Sequence, residues 1–274
     1  MTLELIISTI DDGIHRVARL PLEPAPEISY LVSWQHSAPG DHTVPEALRR
    51  PDVRVVHLDG RGLSRNRNNC LRHAAGDICL VADDDCRYTL ERLRAVVKTF
   101  ADSPELDLAA FRMESAHVEK RYPPNRCRLG THLTGYAPTS FELAFRRASV
   151  QGRLRFNEHF GLGAPLFHCA EEEIFVHDAL LLGLRCEFVP TTIVVHDHPT
   201  SDASRVTDDG NLMARGAFLY IGYRGKMLLY PFPIARRLHR RYGVPFGHTL
   251  AMLYKGLFHI LRHPSMARAG LSAD

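Results

Sequence analysis

The sequence predicts an open α/β sheet with its ligand site at the carboxyl ends of the strands, followed by a helical tail. Three observations carry this expectation. Short apolar, β-rich runs alternate with helical stretches through the first half of the chain. The run Ile78–Ala82 is continuously apolar, as a parallel strand covered on both faces must be. Thr89–Phe100 carries a stripe of apolar residues at the helical period. Successive β–α–β units build a parallel sheet, and open sheets of that kind bind ligands outside their strand ends.

Leu3–Ile10 is an apolar run ending in Asp11-Asp12-Gly13, a buried strand meeting a turn. Ile28–Trp34 and Val53–Leu58 are further strands, each bounded by Pro, Gly or Asp. Gly62–Ala75 is polar, but Leu63, Asn66/Arg67, Cys70/Leu71 and Ala74/Ala75 recur at helical spacing, and Gly76 is the expected cap. Asp77–Ala82 is the next strand, and Thr89–Phe100 a helix with Leu90, Leu93, Val96/Val97 and Phe100 on one side. Leu106–Phe111 is a strand. Met113–Pro138 reads as loop, and Phe141–Phe145 as a strand. The Gly-rich, aromatic stretch Arg155–Pro165 leads into Glu171-Glu172-Glu173 and a helix to Leu182, which Gly183 ends. Cys186–Val189 and Thr192–His196 read as two strands.

Composition excludes several classes. The 274 residues are 45% hydrophobic and 24% charged, which is globular rather than collagenous, coiled-coil or disordered. The net charge of +3 hides a split: from Ala214 onward there are ten Lys/Arg and one acid, against 24 basic and 30 acidic residues before it. Six cysteines form no C-x-x-C pair and no zinc spacing, so reduced thiols in a cytoplasmic protein are expected. Met1–Asp12 lacks the basic start of a secretory signal, and no uncharged apolar stretch of about 18 residues predicts a membrane span.

Asp83-Asp84-Asp85 directly follows the buried strand. Two unit charges 4 Å apart repel by roughly 1 kcal/mol in water and about 4 kcal/mol near a protein surface, and a cation relieves that. In extended backbone Asp83 and Asp85 share one side, while Asp84 points to the other. Oxygen ligands of this kind suit Mg²⁺ or Mn²⁺. A solvated acidic turn favoured by the following helix start is the alternative reading.

Gly62-Leu63-Ser64-Arg65-Asn66-Arg67-Asn68, then Ala75-Gly76-Asp77-Ile78, then Asp83-Asp84-Asp85, resembles the donor-binding half of family 2 glycosyltransferases, which have the GT-A fold, an open mixed sheet with helices on both faces. The resemblance implies a nucleotide-sugar donor, a UDP-sugar foremost, and Mn²⁺ or Mg²⁺ as cofactor. It implies that Asp85 ligates the metal, that Asp83 assists it or touches the donor ribose, and that Asp84 binds the sugar. Thr9 closes the first strand where such enzymes hold the nucleoside. Arg61, Arg65 and Arg67 offer guanidinium forks for phosphate, with a solvated helix face as the alternative for at least one of them, and Ser64 belongs to the same donor segment. Two positions depart from the family: Ser33-Trp34-Gln35 stands where an Asp usually reads the base, leaving Trp34 or Gln35 as substitutes, and Ile10-Asp11-Asp12 replaces the usual Asn/Arg.

The same family places an acidic pair at the start of a helix in its acceptor half, followed by a Gly, a strand and a His. Glu171-Glu172, Gly183, Phe188-Val189-Pro190 and His196 are similar in order and spacing, as is Phe156-Asn157-Glu158 upstream. By this resemblance Glu172 is the base that takes the acceptor proton, with Glu171 and Glu173 as neighbours able to do so, and His196 completes the metal site. His198 is the alternative histidine.

The expectation is an inverting, metal-dependent sugar transfer to a saccharide or glycolipid acceptor. A domain over residues 1–215 would combine a donor half (1–110) with an acceptor half (111–215), and 216–274 would be a basic helical extension. A nucleotidyltransferase or phosphohydrolase using Asp83/Asp85 and His196/His198 is the first alternative, although the Gly-rich basic loop of nucleotidyltransferases is missing after the first strand. A binding module without turnover is the second. In the extension, Phe246, Leu250, Leu253/Tyr254, Leu257/Phe258 and Leu261 form an apolar stripe. That stripe predicts either packing on the domain or peripheral contact with an anionic membrane at its inner face. Nucleic acid is not an expected partner.

Overall fold

The computed structural model describes residues 1–117, 119–130, 136–196, 206–223 and 225–271. Eight strands form one open sheet: β1 (Leu3–Ile10), β2 (Ile28–His36), β3 (Val53–Asp59), β4 (Ile78–Asp83), β5 (Leu108–Glu114), β6 (Cys127–Arg128), β7 (Leu143–Arg146) and β8 (Cys186–Val195). Their order is β3-β2-β1-β4-β7-β5-β8-β6. The first four run parallel, β7 is antiparallel between β4 and β5, β8 is parallel to β5, and β6 is antiparallel at the edge. The expected mixed sheet is therefore observed. The order in which strands are added across the sheet reverses between β1 and β4, where Ser8 stands opposite Asp83. Diverging connections open a crevice at such a switch point, which places Thr9 and the three aspartates at its mouth.

Helices cover both faces because β1, β2 and β4 are apolar on both. Leu5, Ile7, Tyr30, Val32, Val96 and Phe100 share one core, and Ile6, Leu31, Cys70, Val81, Phe145 and Phe175 the other. The helices are α1 (Ile14–Val17), α2 (Leu63–His73), α3 (Leu90–Ala101), α4 (Arg147–Val150), α5 (Glu171–Leu181), α6 (Asp209–Gly222), α7 (Pro231–Tyr242) and α8 (Phe246–Arg262). The Thr89 hydroxyl caps α3 by accepting the Arg92 N–H at 3.3 Å, and the Asp208 carboxylate caps α6 by accepting the Asn211 N–H at 2.7 Å.

Several expectations are corrected. The two strands expected on either side of Pro190 are one, β8. The ladder with β5 shifts register between Ala110/Phe188 and Arg112/Thr192, and this irregularity accommodates the proline, which has no N–H to donate. The stretch read as loop contains β6, and Asp209–Gly222, given no helix in the sequence reading, forms α6, running across residue 215. The apolar stripe of α8 faces inward, with Leu253, Leu257 and Ile260 buried. There α6 and α8 touch backbone to backbone. A Cβ on Gly216 would stand 1.9 Å from the Leu253 carbonyl oxygen, and one on Gly256 would stand 1.9 Å from that of Met213. Only glycine permits that approach. Their shared core with Phe160, Phe167 and Ile174 joins α6 and α8 to α5 and the segment before it. Among the described residues no helix is long and apolar enough to cross a membrane, and all six cysteines are unbridged.

Candidate active site

Asp83 ends β4, and the chain then turns, with the Cys86 N–H bonded to the Asp83 carbonyl at 3.3 Å. Arg87 next pairs with Val195 through both backbone hydrogen bonds, each 2.9 Å, so the aspartate turn is stitched to the end of β8. That stitch brings His196 to Asp85, with Nε2 3.3 Å from the carboxylate. The imidazole is buried and stacked on Phe141, ring centroids 4.9 Å apart at 3°. The hydrogen bond to Asp85 raises its pKa above the usual histidine value, while burial opposes the rise.

Asp85, Cys86 and His196 place one donor atom each within 4.8 Å of one another, and they are the single such group of three among the described residues. Asp83 is not part of that group; its carboxylate is held by Arg67 at 3.1 Å. Carboxylate oxygens with one imidazole nitrogen fit a divalent cation such as Mn²⁺ or Mg²⁺ better than a thiol does. Cys86 is 1% exposed and burial pushes its thiol well above the usual value, so it serves as a wall of the core.

Asp84, in the turn after β4, points toward the end of β1 and α1. Its carboxylate accepts from the Thr9 hydroxyl at 2.5 Å and takes both ends of the Arg16 guanidinium at 2.8 and 3.1 Å. Thr9 and Asp84, expected to touch the donor, are thus engaged with each other and with Arg16, a residue on a four-residue helix that carries no sequence signal. The Asn66 amide donates to the Thr9 carbonyl at 2.8 Å and Asn69 to the Ser33 hydroxyl at 2.9 Å, so α2 fixes the ends of β1 and β2.

Arg67 differs most from its expected place on a phosphate. Its side chain is 2% exposed and bonds Glu171 at 2.8 Å, Asp83 at 3.1 Å and the Ser140 hydroxyl at 2.6 Å, with the guanidinium 5.5 Å above the Phe156 ring. Burial works against its charge, but Asp83, Glu171 and Glu172 outweigh that cost and hold its proton more firmly than in a free arginine. Burial pushes the Asp83 carboxyl above the usual carboxylate value; Arg67 pulls it down, and Asp85 and Asp84 add to the rise. Arg67 thereby ties the end of β4 to the first turn of α5. Beside it the Ser64 hydroxyl donates to the Phe160 carbonyl at 2.6 Å, and Asn68 clamps Phe156 and Glu158. Ser64 and Arg67 therefore shape the site from behind, while Arg61 is exposed at its edge, close enough to lower the Asp11 pKa after the hydrogen bonds from Ser37.

Glu171, Glu172 and Glu173 form the first turn of α5, with Glu171 buried and the other two partly exposed. The turn is entered through Ala170 at φ 74°, a left-handed conformation that costs a non-glycine residue energy. At the end of β2, Trp34 is buried with its indole N–H on the Asp11 carbonyl at 2.9 Å. Gln35 faces the α2 side, 2% exposed, and its amide nitrogen has no hydrogen-bond partner among the described residues. His198 lies outside the described residues. Sequence reasoning missed Arg16, Ser140 and Phe141; the first two are single polar residues with no patterned neighbours, and the stacking of Phe141 on His196 exists only in the folded sheet.

The family model described as Glycosyl transferase family 2 matches residues 8–162, more than half of the chain and short of Glu171–Glu173 and His196. The S. aureus TarS 1-349 structure in complex with UDP-GlcNAc is similar at 18% identity and TM-score 0.57, covering 98% of this chain and 74% of that one. The mannosyltransferase PcManGT from Pyrobaculum calidifontis, in complex with GDP-Man and Mn²⁺, is similar at 16% identity and TM-score 0.51, covering 95% and 75%. Against another, longer S. aureus TarS structure the chain spans 44% of that protein's length, at 16% identity and TM-score 0.57 over 88% of this chain. A search of curated protein sequences finds no match.

Proposed function

This chain belongs to glycosyl transferase family 2, and from that premise we propose that it transfers a sugar, with inversion, from a nucleoside-diphosphate donor to an acceptor hydroxyl. The observation that supports this reading most is Arg67. One buried guanidinium holds the metal-type carboxylate Asp83 and the acidic helix start at Glu171 against each other, so donor and acceptor groups line one cleft.

Asp85 and His196, with Asp83 beside them, are the residues that would hold Mn²⁺ or Mg²⁺. A divalent cation there supplies charge neutralisation for a departing diphosphate. Glu172 accepts the proton of the acceptor hydroxyl as that oxygen bonds to the anomeric carbon. The anomeric carbon–oxygen bond to the diphosphate breaks with its electron pair going to the diphosphate oxygen. Gln35 is the group that pairs with the base: a buried amide nitrogen without a partner costs about 1–3 kcal/mol, and a base carbonyl relieves that. The neighbours were solved with UDP-GlcNAc and with GDP-Man, and a UDP-sugar is the donor proposed here.

The acceptor is a saccharide or glycolipid in polysaccharide, capsule or glycolipid synthesis, and the site of action is cytoplasmic. Nucleotidyl transfer, phosphate hydrolysis and turnover-free binding are not favoured, given the family match. A thermal-shift panel of nucleotide-sugars with and without Mn²⁺ tests the donor: a ligand at 100 times its Kd stabilises by about 2.7 kcal/mol. A metal-dependent shift with one nucleotide-sugar is expected; no shift with any, or free sugar phosphate as product, would overturn the reading.

A further inference from the structure

We propose that the exposed face made by Leu228, Leu229, Phe232, Arg236 and Arg240 docks on the surface of an anionic lipid bilayer. The stripe that suggested membrane contact from sequence, on α8, is for the most part not available, because its centre is buried against α6 and Phe258 is its one exposed member. Another apolar surface is. Leu229 is 71% exposed, Phe232 53%, Leu228 50% and Phe258 45%. They are neighbours: the Tyr254 hydroxyl donates to the Leu228 carbonyl at 2.8 Å, Tyr254 stacks on Phe258 at 5.8 Å, and Phe232 meets Phe246 at 6.1 Å.

Charge complementarity names the occupant. Pro231, Ala235 and Leu238 turn α7 inward, which leaves Arg236, Arg237, Arg240 and Arg241 exposed. Among the described residues none of the four forms an ion pair with a carboxylate; Arg241 lies 5.4 Å over the Tyr242 ring. No acidic residue occurs between Gly210 and Ala273. Guanidinium forks suit lipid phosphates, and exposed Leu and Phe beside them gain by entering the boundary between headgroups and acyl chains. A nucleic acid or an acidic protein would use the arginines but leave the leucines in water.

Docking as such does not depend on the transferase reading.

Sedimentation of the full chain with vesicles, without donor or acceptor, tests it. Vesicles of phosphatidylcholine with about one-third phosphatidylglycerol should bind the protein, and binding should fall in pure phosphatidylcholine or at high salt. Each basic residue near such a surface is worth roughly fivefold in binding, so Arg236→Ala with Arg240→Ala should weaken it at least tenfold, as should Leu229→Ser with Phe232→Ser. Leu181→Ser, at an exposed leucine elsewhere, should change nothing, and an unchanged unfolding midpoint shows that each variant is folded. Absence of binding to anionic vesicles, binding by both double variants equal to that of the parent protein, or retention by DNA alone would overturn the proposal. Failure of the transferase reading would show separately, as absent turnover with soluble acceptors.

Discussion

Replacing Arg67 with methionine removes the charge that joins Asp83 to Glu171 while keeping an aliphatic stem. The guanidinium is 2% exposed and spans Glu171, with 8% of its side chain exposed, and Asp83, with 27%. Removing one partner of a buried ion pair costs about 3–5 kcal/mol, because the remaining charge stays desolvated. Glu171 bears that cost nearly in full. Asp83 keeps contact with water and contributes closer to the 0–1 kcal/mol of an exposed pair. A loss of about 3 kcal/mol is expected, read as a lower urea midpoint at unchanged slope. Glu171→Gln on the Arg67→Met background should then cost far less than in the parent protein, with a coupling of about 2 kcal/mol. The coupling to Asp83→Asn should stay under about 1 kcal/mol. A total loss below about 1 kcal/mol, or additive effects with Glu171→Gln, would refute the buried tether.

Three further outcomes follow from the geometry. Gly256→Val should destabilise the chain by about 1–3 kcal/mol, since its Cβ meets the Met213 carbonyl and α6 must move off α8; calorimetry showing an unchanged midpoint would contradict the close approach. Ala170→Gly should raise stability by about 1 kcal/mol by relieving the positive φ before α5, and a fall would mean that the strain is absent. Glu187 is buried, yet its bonds to Arg185 at 2.7 Å and Arg126 at 2.6 Å hold its carboxyl below the usual value against the cost of burial. A depressed folded-state pKa adds stability above the unfolded value of about 4.3, and that stability is lost as pH falls through the folded value. Glu187→Gln should therefore cost about 1 kcal/mol at pH 7 and progressively less below pH 4; a gap that does not change with pH would contradict the pairing.

The parallel half of the sheet was legible in the sequence because β1, β2, β3 and β4 are apolar runs closed by turn residues, and their ends fell within a residue or two of the expected ones. β8 was not, because Pro190 signals a break that an irregular ladder can absorb. β6 is two exposed residues with no periodicity to read. The meeting of Asp85 with His196 was expected from family spacing, and the structure brings them together. The direction of Arg67 was not legible: sequence supplies a guanidinium on a polar helix, and only burial decides whether it faces a ligand or two carboxylates of its own chain. The same holds for Thr9 and Asp84, whose partner Arg16 is set by the fold. The α8 stripe was real, but pattern alone does not tell packing on a neighbour from contact with a membrane.

The central claim is that Asp85 and Glu172 work in one cleft on one sugar transfer. It is tested most directly by the turnover of a nucleotide-sugar identified in the thermal-shift panel, measured as joint appearance of nucleoside diphosphate and glycosylated acceptor. The account predicts that Glu172→Gln lowers turnover by about 100-fold or more while the donor still shifts the unfolding midpoint, and that Asp85→Ala loses both turnover and the Mn²⁺-dependent part of that shift. Sugar transfer unchanged in both variants would contradict it.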